Sequence, residues 1–120
     1  EWEKAARGGV SSKRFPWGTD TISHSEANYK SSTVYSYDSS GSVNNYHPTY
    51  ATGSMPYTSP VGAFAANGYG LYDMAGNVFE WCWDWHEAYA PGSQSNPHGD
   101  TSGTYRVGRG GGCSLLIRNS

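Results

Sequence analysis

The clearest hydrophobic pattern in the chain is an alternation over residues 78–85. A period of two residues is typical of a β-strand, because successive side chains point to opposite faces. One face would carry Phe79, Trp81, Trp83 and Trp85, and the other Val78, Glu80, Cys82 and Asp84. Four aromatic rings on one face are more typical of a core than of a ligand platform. We therefore expect the aromatic face to be buried, with Cys82 as a small buried hydrophobe.

The rest of the chain predicts little regular structure. Residues 1–9 resemble the end of a helix that stops at Gly8 and Gly9, and residues 104–107 predict a second short strand. Residues 19–58 are mostly Ser, Thr, Asn, Tyr and Gly and show no sustained period, so we expect a long ordered loop region. The predicted class is α+β, loop-rich, with little regular secondary structure.

The composition favours a core built on aromatic side chains. Leu, Ile, Val and Phe together make up 14 of the 120 residues, a fraction typical of disordered chains when net charge is also high. The net charge here is only −2, and the chain has 5 Trp, 10 Tyr and 3 Phe. Each aromatic side chain can bury about 150–250 Å², so the chain can fold around aromatic rings.

The sequence lacks the patterns that are typical of several functional classes. No apolar run approaches the roughly 18–20 residues of a membrane span, and no basic block suggests a nucleic-acid partner. The two cysteines, Cys82 and Cys113, allow one disulfide or none, and the cellular compartment stays open.

The chain begins at Glu1 rather than Met, and its first helix has no visible start, so we expect the front of the domain to be missing.

Two carboxylates flank a predicted turn in the most informative segment. Asp73 and Glu80 are separated by the Gly76-Asn77 turn, which can bring both side chains and nearby carbonyls to one point. Hard oxygen ligands of this kind suit Ca²⁺, which takes 6–8 of them. The alternative is structural: Asp73 caps a turn and Glu80 hydrogen-bonds to backbone.

Five segments of the chain are similar to blocks of one known family, in the family's order. They are residues 1–9, 15–18, 60–62, 67–85 and 106–111. The fourth is the most specific, although the family usually has Trp where this chain has Phe79. The chain thus resembles the sulfatase-modifying-factor, or formylglycine-generating-enzyme, family. The resemblance implies a variant of the C-type-lectin-like fold and one partial domain over residues 1–120, incomplete at both ends.

The resemblance also implies two calcium sites. The first takes the side chains of Asp73 and Glu80 and the backbone carbonyls of Gly76 and Val78. The second takes the Asn28 side chain and the Tyr29 carbonyl. No acidic partner for this second pair aligns, because Gly53 falls near that position and Asp38 lies in an apparent insertion.

Catalysis in the family depends on Cu(I), which two cysteines bind shortly after the Arg-Gly-Gly block. Soft thiolates suit this ion. The matching positions here are Leu115 and Ser120, and Cys113 is out of register for the role. The alignment implies that this chain lacks the copper ligands, and that Cu(I) would require cysteines from a missing C-terminal portion.

Two functions are compatible with this resemblance. The first is an enzyme that oxidises a cysteine of a sulfatase-like client polypeptide to formylglycine. The second is a non-catalytic, C-type-lectin-like module that binds a protein or glycan, with variable ligand-binding residues around 112–117.

Overall fold

The computed structural model describes most of the 120-residue chain. The described residues are 1–41, 45–88, 91–93, 95, 99 and 101–114. They form one short helix, α1 (Trp2–Ala6), and two strands, β1 (Glu80–Trp85) and β2 (Arg106–Arg109). Apart from an isolated parallel bridge between Ile22 and Asp38, the other described residues lie in turns, bends and loops, which confirms the predicted loop-rich character. Within these ranges, no helix is long and apolar enough to cross a membrane.

Helix α1 is shorter than the predicted helical segment 1–9. The carboxylate of Glu3 forms an exposed ion pair with Arg7 one turn later, at 2.7 Å. The helix then ends because Gly8 has a φ of +57°, a left-handed conformation that glycine adopts readily. A methyl group on Gly8 would lie 2.7 Å from the backbone nitrogen of Gly68, so this close approach also requires glycine.

Strands β1 and β2 form a two-stranded antiparallel sheet. The paired residues are Glu80 with Arg109, Trp81 with Gly108, and Trp85 with Arg106, with an irregularity between Trp81 and Trp85. Both strands start two residues later than predicted. Glu80 pairs with Arg109, the last residue of β2, and the next residue, Gly110, has a φ of +82°, so residues 78 and 79 have no partner in β2. The carbonyl of Tyr105 accepts from the N–H of His86, past the end of β1, so regular pairing of β2 starts at the next residue.

The buried hydrophobic cluster lies in the loop-rich region, residues 15–79. It consists of Phe15, Ile22, Ala27, Tyr29 and Ala75, with Trp17 and Tyr37 packed against it. Trp17 stacks on Phe15 with ring centroids 5.4 Å apart. Ile22, which is fully buried, is also held by its backbone: its N–H donates to Tyr37 and its carbonyl accepts from Ser39. Aromatic rings thus supply much of the core, as the composition predicts.

The expectation that the aromatic face of residues 78–85 forms the core is wrong. Trp81 and Trp83 are 78% and 85% exposed, and Phe79 is also exposed. Trp85 is half-buried beneath the guanidinium of Arg106, which lies 3.8 Å from its ring centroid. The physical reason is that the buried cluster is built from residues 15–75, and neither strand contributes a side chain to it.

The expectation that Cys82 is buried is also wrong. Cys82 is half-buried rather than buried, whereas Cys113 is buried. Both thiols are free, so of the two possibilities, one disulfide or none, the structure has none between them.

Candidate functional site

The turn between Asp73 and Glu80 is held by backbone hydrogen bonds to two distant parts of the chain. The N–H of Gly76 donates to the Gly110 carbonyl at 2.6 Å, and the N–H of Asn77 donates to the Asn28 carbonyl at 2.7 Å. The carbonyl of Asn77 accepts from the N–H of Cys113 at 2.8 Å. The turn is therefore fixed against segments far from it in sequence, which is what a preorganised ligand set requires.

Asn77 fixes the turn with its side chain as well. Its Oδ1 accepts from the N–H of Ser59 at 2.9 Å, and its Nδ2 donates to the carbonyl of the same residue at 3.2 Å. Asn77 is buried and its backbone is left-handed, a conformation that asparagine tolerates better than most residues. The sequence predicts Asn77 only as part of a turn, although the Gly-Asn pair is a signal for this conformation.

Glu80 is the first residue of β1 and is half-buried. One carboxylate oxygen, Oε2, accepts a hydrogen bond from the indole N–H of Trp2 in α1. The structural alternative predicted a backbone partner for Glu80, so this indole contact is new. An ionised carboxylate has about four lone-pair sites, and one donor leaves acceptor capacity for a cation.

The Val78 carbonyl and the Glu80 side chain meet at Gly110. A methyl group on Gly110 would lie 3.5 Å from the Val78 carbonyl oxygen, 3.8 Å from Cγ of Glu80 and 3.7 Å from Cζ2 of Trp2. The Gly110 carbonyl also accepts from Gly76. Three of the four predicted residues of the first calcium site therefore lie around one glycine.

Asp73 makes its described contact elsewhere. Its Oδ2 accepts from the N–H of Gly62 at 2.8 Å, and its backbone has a φ of +54°. This contact matches the alternative in which Asp73 caps a turn. The same oxygen set retains free lone pairs, so the contact leaves Asp73 able to bind a cation.

Asn28 and Tyr29, the second predicted pair, are both buried. The Asn28 Nδ2 donates to the carbonyl of Tyr57 at 2.7 Å, whereas its Oδ1 is buried without a hydrogen-bond partner among the described residues. The Tyr29 carbonyl lies 3.1 Å from Nε2 of His24. A buried, unpaired amide oxygen is costly, and a bound cation or water would satisfy it.

Asp38 contacts the side chain of Tyr29 and is tied to its own loop. Burial alone would raise the pKa of Asp38, but hydrogen bonds from Ser32, Tyr29 and Ser40 lower it below the ordinary aspartate value. Burial and the Asp38 contact raise the pKa of the Tyr29 phenol, which stays protonated and donates to Asp38 at 2.7 Å. Asp38 is thus a structural anion of the residue 32–40 loop.

The described residues contain no cluster of metal-binding side chains. Across the described ranges, no three or more His, Cys, Asp or Glu side chains lie together as a metal site. The predicted first calcium set has only two carboxylates and takes its other oxygens from carbonyls. The positions that match the copper cysteines, Leu115 and Ser120, lie outside the described residues.

Comparison with known proteins identifies the family. The model of the sulfatase-modifying factor enzyme 1-like domain matches residues 1–119. The chain belongs to this family. The resemblance that the sequence motifs predicted is thereby confirmed.

The relatives of this sulfatase-modifying-factor chain include formylglycine-generating enzymes and a serine/threonine-protein kinase. A formylglycine-generating enzyme of Thermomonospora curvata is 42% identical over the whole chain, which spans 38% of that protein. A formylglycine-generating enzyme of Mus musculus is 37% identical over 92% of the chain and 28% of its own length. A serine/threonine-protein kinase of Chlamydia caviae is 41% identical over 92% of the chain, which covers 15% of the kinase. The chain therefore spans well under half of these relatives.

Proposed function

We propose that this chain is a cation-stabilised part of a sulfatase-modifying-factor domain that recognises a sulfatase-like client polypeptide. The observation that carries the proposal is the family match over residues 1–119, together with 42% identity to a formylglycine-generating enzyme. The family-level activity is oxidation of a client cysteine to formylglycine. We also propose the C-type-lectin-like arrangement of the family for the complete domain.

Calcium is the cation that fits the described residues. The Glu80 side chain and the Val78 carbonyl lie around Gly110, and the buried, unpaired Oδ1 of Asn28 offers a donor for the second set. All are hard oxygen donors of the kind that Ca²⁺ prefers. Asp73 and the Gly76 carbonyl complete the first proposed set, and the Tyr29 carbonyl joins Asn28 in the second. When bound, Ca²⁺ would supply charge that holds these loops together.

Copper does not fit the positions that this chain offers. Leu115 has no donor atom, and Ser120 offers a hard hydroxyl where Cu(I) prefers thiolates. Cys113 is buried and lies out of register. We therefore derive no copper step from this chain, and oxidation of a client would require cysteines supplied elsewhere in the polypeptide.

A second candidate function is a non-catalytic module that binds a protein or glycan. The Leu115 and Ser120 positions favour it, because they remove the copper ligands. The kinase relative also favours it, since a segment 41% identical to this chain makes up a small part of a protein named for another activity. In this function the residues around 112–117 would contact the ligand.

One assay separates the two functions. The full chain is incubated with Cu(I), O₂ and a peptide that contains Cys-x-Pro-x-Arg, and mass spectrometry looks for the aldehyde. Aldehyde formation supports the enzyme. Peptide binding without aldehyde, under conditions in which a formylglycine-generating enzyme gives product, supports the module.

Calcium binding is tested separately by thermal unfolding with and without a chelator. A ligand at 100 times its Kd stabilises by about 2.7 kcal/mol, so we expect Ca²⁺ to raise the unfolding midpoint of the native chain. Glu80→Gln removes the charge with little change in shape and should abolish the increase. Asp84→Asn, at an exposed position of the same strand, is the matched control and should retain it. An unchanged native midpoint on chelation contradicts the calcium proposal.

A further inference from the structure

The contact between Trp2 and Glu80 joins helix α1 to the first residue of strand β1. The two residues are 78 positions apart, and the indole N–H of Trp2 donates to Oε2 of Glu80. Both side chains are half-buried, so water competes less for this hydrogen bond than it would at a fully exposed site. A hydrogen bond to a charged acceptor is also stronger than one between neutral groups.

Helix α1, which carries Trp2, is anchored without help from Glu80. The Nδ2 of Asn67 donates to the carbonyls of Ala5 and Ala6 at 2.8 and 3.1 Å, which gives the last carbonyls of the helix a side-chain donor. The Oδ1 of Asn67 is in turn held by the N–H groups of Tyr69 and Leu71. The indole therefore comes from a helix that the Asn67 side chain ties to the residue 67–71 turn.

Gly110 closes the same arrangement from β2. Its backbone has a φ of +82°, and the site of its missing side chain faces the ring of Trp2, the stem of Glu80 and the Val78 carbonyl. The indole, the carboxylate and the carbonyl thus share one small region. A shift of any one of these groups would therefore change its contacts with its neighbours.

We propose that Trp2 is the positioning residue for Glu80, and that docking of α1 is thereby coupled to cation binding at the Glu80 carboxylate. The indole N–H holds one carboxylate oxygen and fixes the rotation of the group, which leaves the remaining lone pairs for the cation. Groups that orient a metal ligand typically change metal affinity 10–100-fold when they are removed. The coupling is reciprocal, so bound cation also holds the indole in place. This inference rests on the proposed calcium site.

Calcium titration of the full chain by calorimetry tests the inference, with Trp2→Phe as the main variant. Phenylalanine keeps an aromatic ring and removes the N–H donor, so we expect Ca²⁺ affinity to fall 10–100-fold. Trp17→Phe is the matched control: the Trp17 Nε1 is buried without a hydrogen-bond partner among the described residues. Its loss should leave Ca²⁺ affinity within about twofold, a change far smaller than that expected for an orienting donor.

The native chain gives a second readout that needs no variant to fold. The Nε1–H resonance of Trp2 in a ¹H–¹⁵N spectrum should shift on addition of Ca²⁺, and its exchange with solvent should slow. The resonance is assigned by its absence from Trp2→Phe or by selective labelling. A Trp2 resonance that does not respond to saturating Ca²⁺ overturns the inference.

The outcomes distinguish the inference from the proposal beneath it. If the native chain binds Ca²⁺ and Glu80→Gln abolishes binding while folded Trp2→Phe keeps native affinity, the calcium site stands and the role of Trp2 is rejected. If the native chain does not bind Ca²⁺, both are rejected. Weakened binding in Trp2→Phe alone, together with the resonance shift, supports the inference.

Discussion

The loop-rich region, residues 15–79, and the β1–β2 sheet show opposite relations between sequence pattern and burial. The sheet contains the most regular hydrophobic alternation of the chain, yet Trp81 and Trp83 are 78% and 85% exposed. The loop-rich region has no sustained period, yet it contains fully buried Ile22 and nearly fully buried Tyr29. Periodicity thus reports the local backbone, whereas burial depends on which distant segments pack together.

Buried polar side chains explain how the loops can pack without regular strands. Loop backbone groups that leave water need hydrogen-bond partners, which strands would otherwise provide. Here the Asn67 side chain bonds to the end of α1 and to the turn that follows Asn67. The Asn77 side chain bonds to both the N–H and the carbonyl of Ser59. The difference between the two regions therefore predicts different costs for mutations.

The largest effect is expected for Asn77→Ala. The change removes the partners of both backbone groups of Ser59 and places alanine at a φ of +61°. Each of the two unsatisfied buried groups costs about 1–3 kcal/mol, and the left-handed backbone costs about 1–2 kcal/mol more, so we expect a loss of about 3–8 kcal/mol. Urea-induced unfolding of the full chain measures the loss.

Asn77→Gly is the control that separates the two causes. Glycine tolerates the left-handed backbone but makes no side-chain hydrogen bond, so most of the loss should remain. A glycine variant as stable as the native chain would show that backbone strain, rather than the amide contacts, accounts for the alanine result.

The next largest effect is expected for Ile22→Ala. Ile22 is 0% exposed within the buried cluster, and truncation of a buried isoleucine costs about 2–5 kcal/mol. Chemical unfolding again measures the loss, and Val34→Ala, at a position that is 80% exposed, is the matched control. Equal losses for the two variants would contradict the position of the core.

A much smaller effect is expected for Trp81→Ala, although it removes the larger side chain. Trp81 is 78% exposed and lies outside the buried cluster, so the change should stay within about 0.5 kcal/mol. Unfolding experiments on Trp81→Ala and Ile22→Ala should run side by side. A loss for Trp81→Ala that exceeds the loss for Ile22→Ala would show that the sheet face is buried in solution.

The sequence predicted the kinds of element better than their limits. Alternation predicted β1, and the paired glycines after Ala6 predicted the end of α1. The later starts of the strands were not predictable, because they depend on where β2 ends against β1, before Gly110, and on the pairing of His86 with Tyr105.

The candidate site could be predicted only in part. Asp73 and Glu80 stand out because both flank one turn, and the resemblance supplied Asn28 and Tyr29. The contact of Trp2 with Glu80 has no local signal, because it crosses 78 positions and depends on the complete packing of α1 against the turn.

The smallest effect concerns an exposed polar contact, which contrasts with the buried contacts of Asn77. Asp20 accepts from Nζ of Lys13 at 2.8 Å and from the N–H of Arg14, and the Lys13 hydrogen bond is the main cause that lowers the pKa of Asp20 below 3.8. The stabilisation is therefore present above pH 3.8 and is lost as pH falls through the lower pKa of the folded state.

Lys13→Gln should raise the pKa of Asp20 toward its ordinary value, as measured by an NMR pH titration of the side-chain carboxyl. Added salt should weaken the effect of Lys13 in the native chain, because both groups are exposed. An Asp20 pKa that is unchanged in Lys13→Gln would assign the shift to the backbone N–H of Arg14, so that this exposed contact would also depend on the backbone.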